Sequence, residues 1–172
     1  ATSGSAGMYG KLTSNVTKVD YTILNQGQIQ LTSVTKNVGI YGTTGASVSK
    51  KLTLQNEKEI NIASGSAQSV GIYAKNDVSN DKNKLVAVNT ADGTIVVDSN
   101  KSIGISAEKS TVDNSGTITM KKAESAGIYG KFTSDATADN TIVNNGKITL
   151  TATGGEEKSA GIYGKRDATA TK

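Results

Sequence analysis

The sequence contains no cysteine, no histidine, no proline and no tryptophan, and its aromatics amount to six tyrosines and one phenylalanine. Without cysteine there is neither a disulfide nor a thiolate metal site. Without histidine the commonest general base and metal ligand is missing. So few large side chains cannot fill a conventional globular core. The lack of proline, beside 19 glycines and many Thr, Ser and Asn, also argues against plain disorder, which favours Pro and Glu. No apolar run approaches the ~18 residues of a membrane span, and no signal peptide opens the chain. The net charge of +4 comes from lysines scattered beside acids, the mark of a solvated polar surface and not of a nucleic-acid footprint. A regular, thin-cored architecture reconciles these features.

What is present is a repeat. SAGMYGK (5–11) returns as SAGIYGK at 125–131 and 159–165, and aligning on its first glycine finds six copies, at Gly7, Gly39, Gly71, Gly104, Gly127 and Gly161. A second motif lies between the copies: NQGQIQL (25–31), NEKEINI (56–62), ADGTIVV (91–97), NSGTITM (114–120) and NNGKITL (144–150). A short apolar stretch precedes each of these: YTIL (21–24), KLTL (51–54), LVAV (85–88), STV (110–112) and TIV (141–143). The shortest cycle, 104–126, takes 23 residues; the others add polar inserts, 12–20, 43–50, 75–84 and 132–140, which read as loops at one corner.

Every motif alternates with period two. Ile29 and Leu31 share one face, as do Ile60 and Ile62, Ile95 and Val97, Ile118 and Met120, and Ile148 and Leu150, so these segments are strands. In the heptapeptide, one parity holds Ala6, Met8 and Gly10 and the other Gly7, Tyr9 and Lys11. The fourth copy replaces Tyr by Ser106 and Lys by Glu108 while Ile103 and Ile105 stay apolar. The expectation is that Ala6, Val38, Val70, Ile103, Ala126 and Ala160 face in together with the isoleucines, and that the glycines face out with the tyrosines. Three short strands per cycle, repeated, describe an all-β, single-stranded parallel β-helix of about six rungs, with 1–172 forming one segment. Identical residues then stack on one another. Tyr9, Tyr41, Tyr73, Tyr129 and Tyr163 form an outward ladder, and Asn25, Asn56, Asn114 and Asn144 a corner ladder. Gly27, Gly93, Gly116 and Gly146 mark a turn position suited to φ > 0, where the second copy has Lys58.

Few residues point to chemistry. Lys11, Lys75, Lys131 and Lys165 make a basic column broken by Thr43 and Glu108, read as a solvated face. Asp98, Glu59 and Glu108 fall on different strands or rungs, so no carboxylate pair forms, and the chain is expected not to be an enzyme. Asp20, Asp77, Asp81 and Asp135 lie in the inserts but lack a calcium-binding repeat, so neither a metal nor a cofactor is expected. If the segment binds a partner, the inserts are the best candidates, with Asn15, Lys18, Asp77, Asp81, Lys82 and Asp135 as the polar residues available, because loops on a rigid scaffold carry recognition.

The NxGxI…SxGIYGK rhythm resembles the passenger domains of bacterial type V autotransporters, most of all the very large fusobacterial outer-membrane adhesins of the RadD-like group. The resemblance runs the length of the chain. It implies a right-handed β-helix, secretion across the outer membrane to the cell surface, and a rigid stalk or presentation scaffold that adheres to a host or bacterial surface protein or glycan. On this reading the chain is a piece of a longer repetitive passenger, monomeric, without membrane insertion and without a nucleic-acid partner. A carbohydrate-active β-helix, lectin or polysaccharide hydrolase, is the alternative.

Overall fold

A computed structural model of the chain describes residues 5–13, 19–32, 36–45, 48, 50–63, 68–76, 84–132, 141–151 and 159–166. The strands come in threes. The first coil holds β1 (Ser5–Leu12), β2 (Tyr21–Asn25) and β3 (Gln28–Leu31), and the second β4 (Asn37–Thr44), β5 (Leu52–Asn56) and β6 (Glu59–Ile62). The third holds β7 (Val70–Asn76), β8 (Leu85–Asn89) and β9 (Thr94–Val97), and the fourth β10 (Ile103–Glu108), β11 (Thr111–Asn114) and β12 (Thr117–Met120). The fifth holds β13 (Ala126–Phe132), β14 (Ile142–Asn144) and β15 (Lys147–Leu150), and β16 (Ala160–Arg166) follows. First strands pair with first strands in the order β1-β4-β7-β10-β13-β16, second with second and third with third, giving three sheets of six, five and five strands. All thirteen pairings are parallel. The fold is a parallel β-solenoid, with no helix among the described residues.

The register matches like with like. Tyr41 pairs with Tyr73, Ile29 with Ile60, and Asn25 with Asn56. The interior is a column of fully buried Ile40, Ile72, Ile105 and Ile128 from the first sheet, faced by Leu54 and Val112 from the second and Ile60, Ile95 and Ile118 from the third. Burying one such side chain contributes about 1.5–3 kcal/mol. A thin core therefore suffices, because every coil contributes the same set.

One expectation about facing is overturned. Val38, Val70, Ile103 and Ala126 are partly exposed and Ala6 is exposed, whereas Gly39, Gly71, Gly104 and Gly127 are buried. The glycines point inward. A Cβ on Gly39 would lie 2.5 Å from Ile60 Cγ2, and on Gly71 2.5 Å from Ile95 Cγ2. Gly7, Gly104 and Gly127 meet Ile29, Ile118 and Ile148 in the same way. The paired register skips from Val38 to Ile40, so Gly39 and Ile40 both turn in and the alternation breaks there. The two motifs recur together because the isoleucine of one occupies the space left by the glycine of the other.

A second compensation crosses the coil. Gly10, Gly42 and Gly130 stand against Ile23, Leu54 and Ile142. Where the first sheet carries Ala74 and Ala107 instead, the register positions of Leu54 hold the smaller Ala87 and Val112. The larger residue on one sheet thus goes with a smaller one opposite, as interiors at crystal-like density favour.

The corner after the second strand also departs from expectation. No glycine there has φ in the left-handed region, and Lys58 has no positive φ either. The corner is set by crowding. A Cβ on Gly116 would lie 2.2 Å from Gly93 O, and on Gly146 2.1 Å from Gly116 O. Lys58 occupies the equivalent place in the second coil, since Asn56 Nδ2 donates to Lys58 O at 2.9 Å as Asn144 Nδ2 does to Gly146 O at 3.2 Å. In the third coil the corner is two residues longer. A Gly93 N to Thr90 O bond of 2.8 Å closes it, with Ala91 and Asp92 in solvent.

Candidate functional site

The polar side chains of the described residues gather in the outward columns of the first sheet and in two ladders, one at the corner after the second strand and one before the first. Tyr9 and Tyr41 rings lie 5.3 Å apart at 40°, Tyr41 and Tyr73 5.2 Å apart at 14°, and Tyr129 and Tyr163 5.6 Å apart at 19°. Ser106 sits in register between Tyr73 and Tyr129 and is only 4 % exposed. Tyr73 leans across, and its hydroxyl donates to Glu108 Oε1 at 2.7 Å. The Lys column lies two residues on. Glu108 is in register with both Lys75 and Lys131, and Thr43 with Lys11 and Lys75. These two breaks interrupt like charges that would repel at strand spacing.

At the corner after the second strand the asparagines form one directed chain. Asn25 Nδ2 donates to Asn56 Oδ1 at 2.7 Å, Asn56 to Asn89 at 2.9 Å, Asn89 to Asn114 at 2.8 Å and Asn114 to Asn144 at 2.6 Å. Asn89 escapes a search by motif spacing, because the two-residue insertion places it four positions before its glycine. The terminal Asn of LVAVN was the signal that could have found it. Asn56, Asn89 and Asn114 are fully buried. Each amide has one hydrogen for its neighbour and one for a corner carbonyl, so burial leaves it satisfied.

A second ladder precedes the heptapeptide. Asn37 N donates to Ser69 Oγ at 3.3 Å, Ser69 N to Ser102 Oγ at 3.0 Å, Ser102 N to Ser125 Oγ at 3.3 Å and Ser125 N to Ser159 Oγ at 3.4 Å. The residue just before Ser69, Ser102 and Ser125 is left-handed, with φ of 62° at Gln68, 54° at Lys101 and 53° at Glu124. The repeated Ser at this position carried the signal for a ladder that periodicity alone does not reveal.

The candidate loop residues Asn15, Lys18, Asp77, Asp81, Lys82 and Asp135 lie outside the described residues. In chain order the segments bearing them fall between a first strand and the second strand that follows it. Asp20 is placed: its carboxylate accepts the backbone N–H of Lys51 at 2.9 Å and serves as a link between coils. Asp98 pairs with Lys122 at 3.5 Å. Glu59 accepts from Gln28 at 2.7 Å and stands on the third sheet, away from Glu108 on the first. The structure does not bring the three acids together. Among the described residues there is no group of three or more His, Cys, Asp or Glu side chains able to hold a metal.

These stacked three-strand coils with an asparagine corner are the setting for the family match. The model of the BigA third pectate lyase-like domain matches residues 10–171. The chain belongs to that family. No curated protein and no solved structure gives a match. BigA is an autotransporter-like surface protein. In this pectate lyase-like domain the described outward face of the first sheet carries tyrosines, lysines and one glutamate, whose chemistry is stacking, hydrogen bonding and charge pairing.

Proposed function

We propose that this pectate lyase-like domain is a segment of a bacterial surface adhesin, a stiff β-helical stalk that presents side chains and loops for attachment to a host or bacterial cell. One observation carries the reading: coil stacks on coil in matched register, with the inward isoleucines and the corner asparagines each recurring along the axis, a construction that gives length and rigidity. The family match supports a cell-surface location, and the resemblance to type V passengers supports export across the outer membrane and right-handed winding. On this reading the domain is monomeric, binds no nucleic acid, does not enter the membrane and catalyses no reaction. Beads coated with the domain are expected to adhere to epithelial or bacterial cells, while plant and bacterial polysaccharides incubated with it release no reducing sugar or unsaturated product. Turnover of any of these polysaccharides would replace the adhesive reading by the carbohydrate-active one.

A further inference from the structure

The outward face of the first sheet changes along the axis. The position before the inward glycine carries Ala6 in the first coil, Val38, Val70 and Ile103 in the second to fourth, and two adjacent alanines, Ala126 and Ala160, in the last two first-sheet strands. The smaller side chains open a groove of about 480 Å³, within the range of small-molecule sites, roughly 300–1,000 Å³. Ala126 and Ala160 line it, and so does Ile103 in the same column. Tyr129 and Tyr163 stand on one side, their rings stacked 5.6 Å apart. On the other side the left-handed corner residues Lys101 and Glu124 face each other across 3.6 Å, both about half exposed.

We propose that this groove binds a neutral glycan. The inference rests on the adhesive reading above and names the class of ligand for it. An apolar floor beside aromatic rings suits the C–H face of a pyranose. The opposite rim supplies an ammonium to donate to a sugar oxygen and a carboxylate to accept from a sugar hydroxyl. That rim has no net charge, because its cation and anion offset each other, so it offers no preference for a sulfate or a uronate. A purely apolar peptide side chain would use the floor and the rings but none of the donors and acceptors that the Lys101–Glu124 pair turns to solvent.

The test is binding of the whole chain to immobilised neutral, sialylated, uronate-containing and sulfated oligosaccharides, and to aromatic peptides. Three variants accompany it: Ala160→Ile, Tyr163→Ala and Tyr9→Ala. Ile103 already stands in this column, in register with Ala126, which pairs with Ala160, so Ala160→Ile is expected to narrow the groove while leaving the thermal midpoint unchanged. Neutral glycans should bind, with Ala160→Ile and Tyr163→Ala each weakening binding by roughly tenfold, about 1.4 kcal/mol, and Tyr9→Ala leaving it intact. Retention of acidic glycans or peptides in preference, undiminished binding by Ala160→Ile, or no glycan retained at all would overturn the assignment. Bead adherence, measured separately, distinguishes the two levels. Adherence that persists without glycan binding leaves the adhesive reading standing and removes the groove. Glycan binding without adherence to any cell keeps the groove and removes the adhesive reading.

Discussion

Ile72 and Tyr73 are adjacent in one strand, and their columns obey different rules. The inward column holds Ile40, Ile72, Ile105 and Ile128, all fully buried. The outward column beside it runs Tyr41, Tyr73, Ser106 and Tyr129. An inward residue is fixed along the axis by its register partners and across the coil by the opposite sheets, as Gly39 is by Ile60. An outward residue has axial neighbours and water. A tyrosine can therefore be replaced by serine where a neighbouring ring folds over the gap. An inward position is also tied to the residue facing it across the coil, as Ala74 and Ala87 together replace Gly42 and Leu54.

The sharpest way to break this contrast is Ile72→Lys. It puts an unpaired charge into a closed interior and is expected to cost about 3–5 kcal/mol, comparable to breaking a buried ion pair. Urea unfolding would show a large fall in midpoint; a fall no greater than that of Tyr73→Ser would reverse the inside and outside assignment. Asn89→Ala comes next. It leaves Asn114 Oδ1 without its donor and removes the acceptor of Asn56 Nδ2, for an expected loss of about 2–3 kcal/mol. A loss under half of that would mean that the ladder is an ornament of the corner and not part of its stability.

Gly39→Ala sharpens the cross-coil rule. Its Cβ would meet the Gly71 carbonyl and the Ile60 methyl, each at 2.5 Å, and overpacking of this kind costs about 1–3 kcal/mol. Ile60→Val in the same chain should not recover the loss fully, because the Gly71 carbonyl is backbone. Full rescue would show that the side chain alone sets the limit. Tyr73→Ser is expected to be mild. It removes one ring stack and the bond to Glu108, with cross-strand pairs contributing about 0.2–1 kcal/mol each, and the melting midpoint should shift by only a few degrees. Lys58→Gly is the smallest. Lys58 has no left-handed strain to relieve, so the added freedom of the unfolded chain should destabilise by about 0.4–1 kcal/mol. A rise in melting temperature would show strain at that corner after all.

Much of this solenoid is legible in the chain. The alternation of Ile60 and Ile62 marks a strand, the return of SAGIYGK marks coils in register, and the inserts mark one corner. The outward tyrosines could be named because Ser106 and Glu108 broke their columns while Ile105 did not. Other features were not legible. Asn89 was hidden by an insertion in its turn. The serine ladder recurs as Ser69, Ser102, Ser125 and Ser159, but its bonds run from backbone N–H groups, so the repeat alone does not show what the hydroxyls accept. The facing of Gly39 followed from counting by twos through a place where the chain bends.

The sequence by itself determined the repeat, the parallel stacking and the identity of the columns, because a side chain stacked on its own kind leaves its mark at a fixed interval along the chain. The tertiary structure alone decided which glycines turn inward, why Ala87 accompanies Ala74, and that Ala126 and Ala160 open a groove beside two tyrosines. Each of these depends on distances between strands from different sheets. Such distances are set by closing the coil, and no interval within the sequence records them.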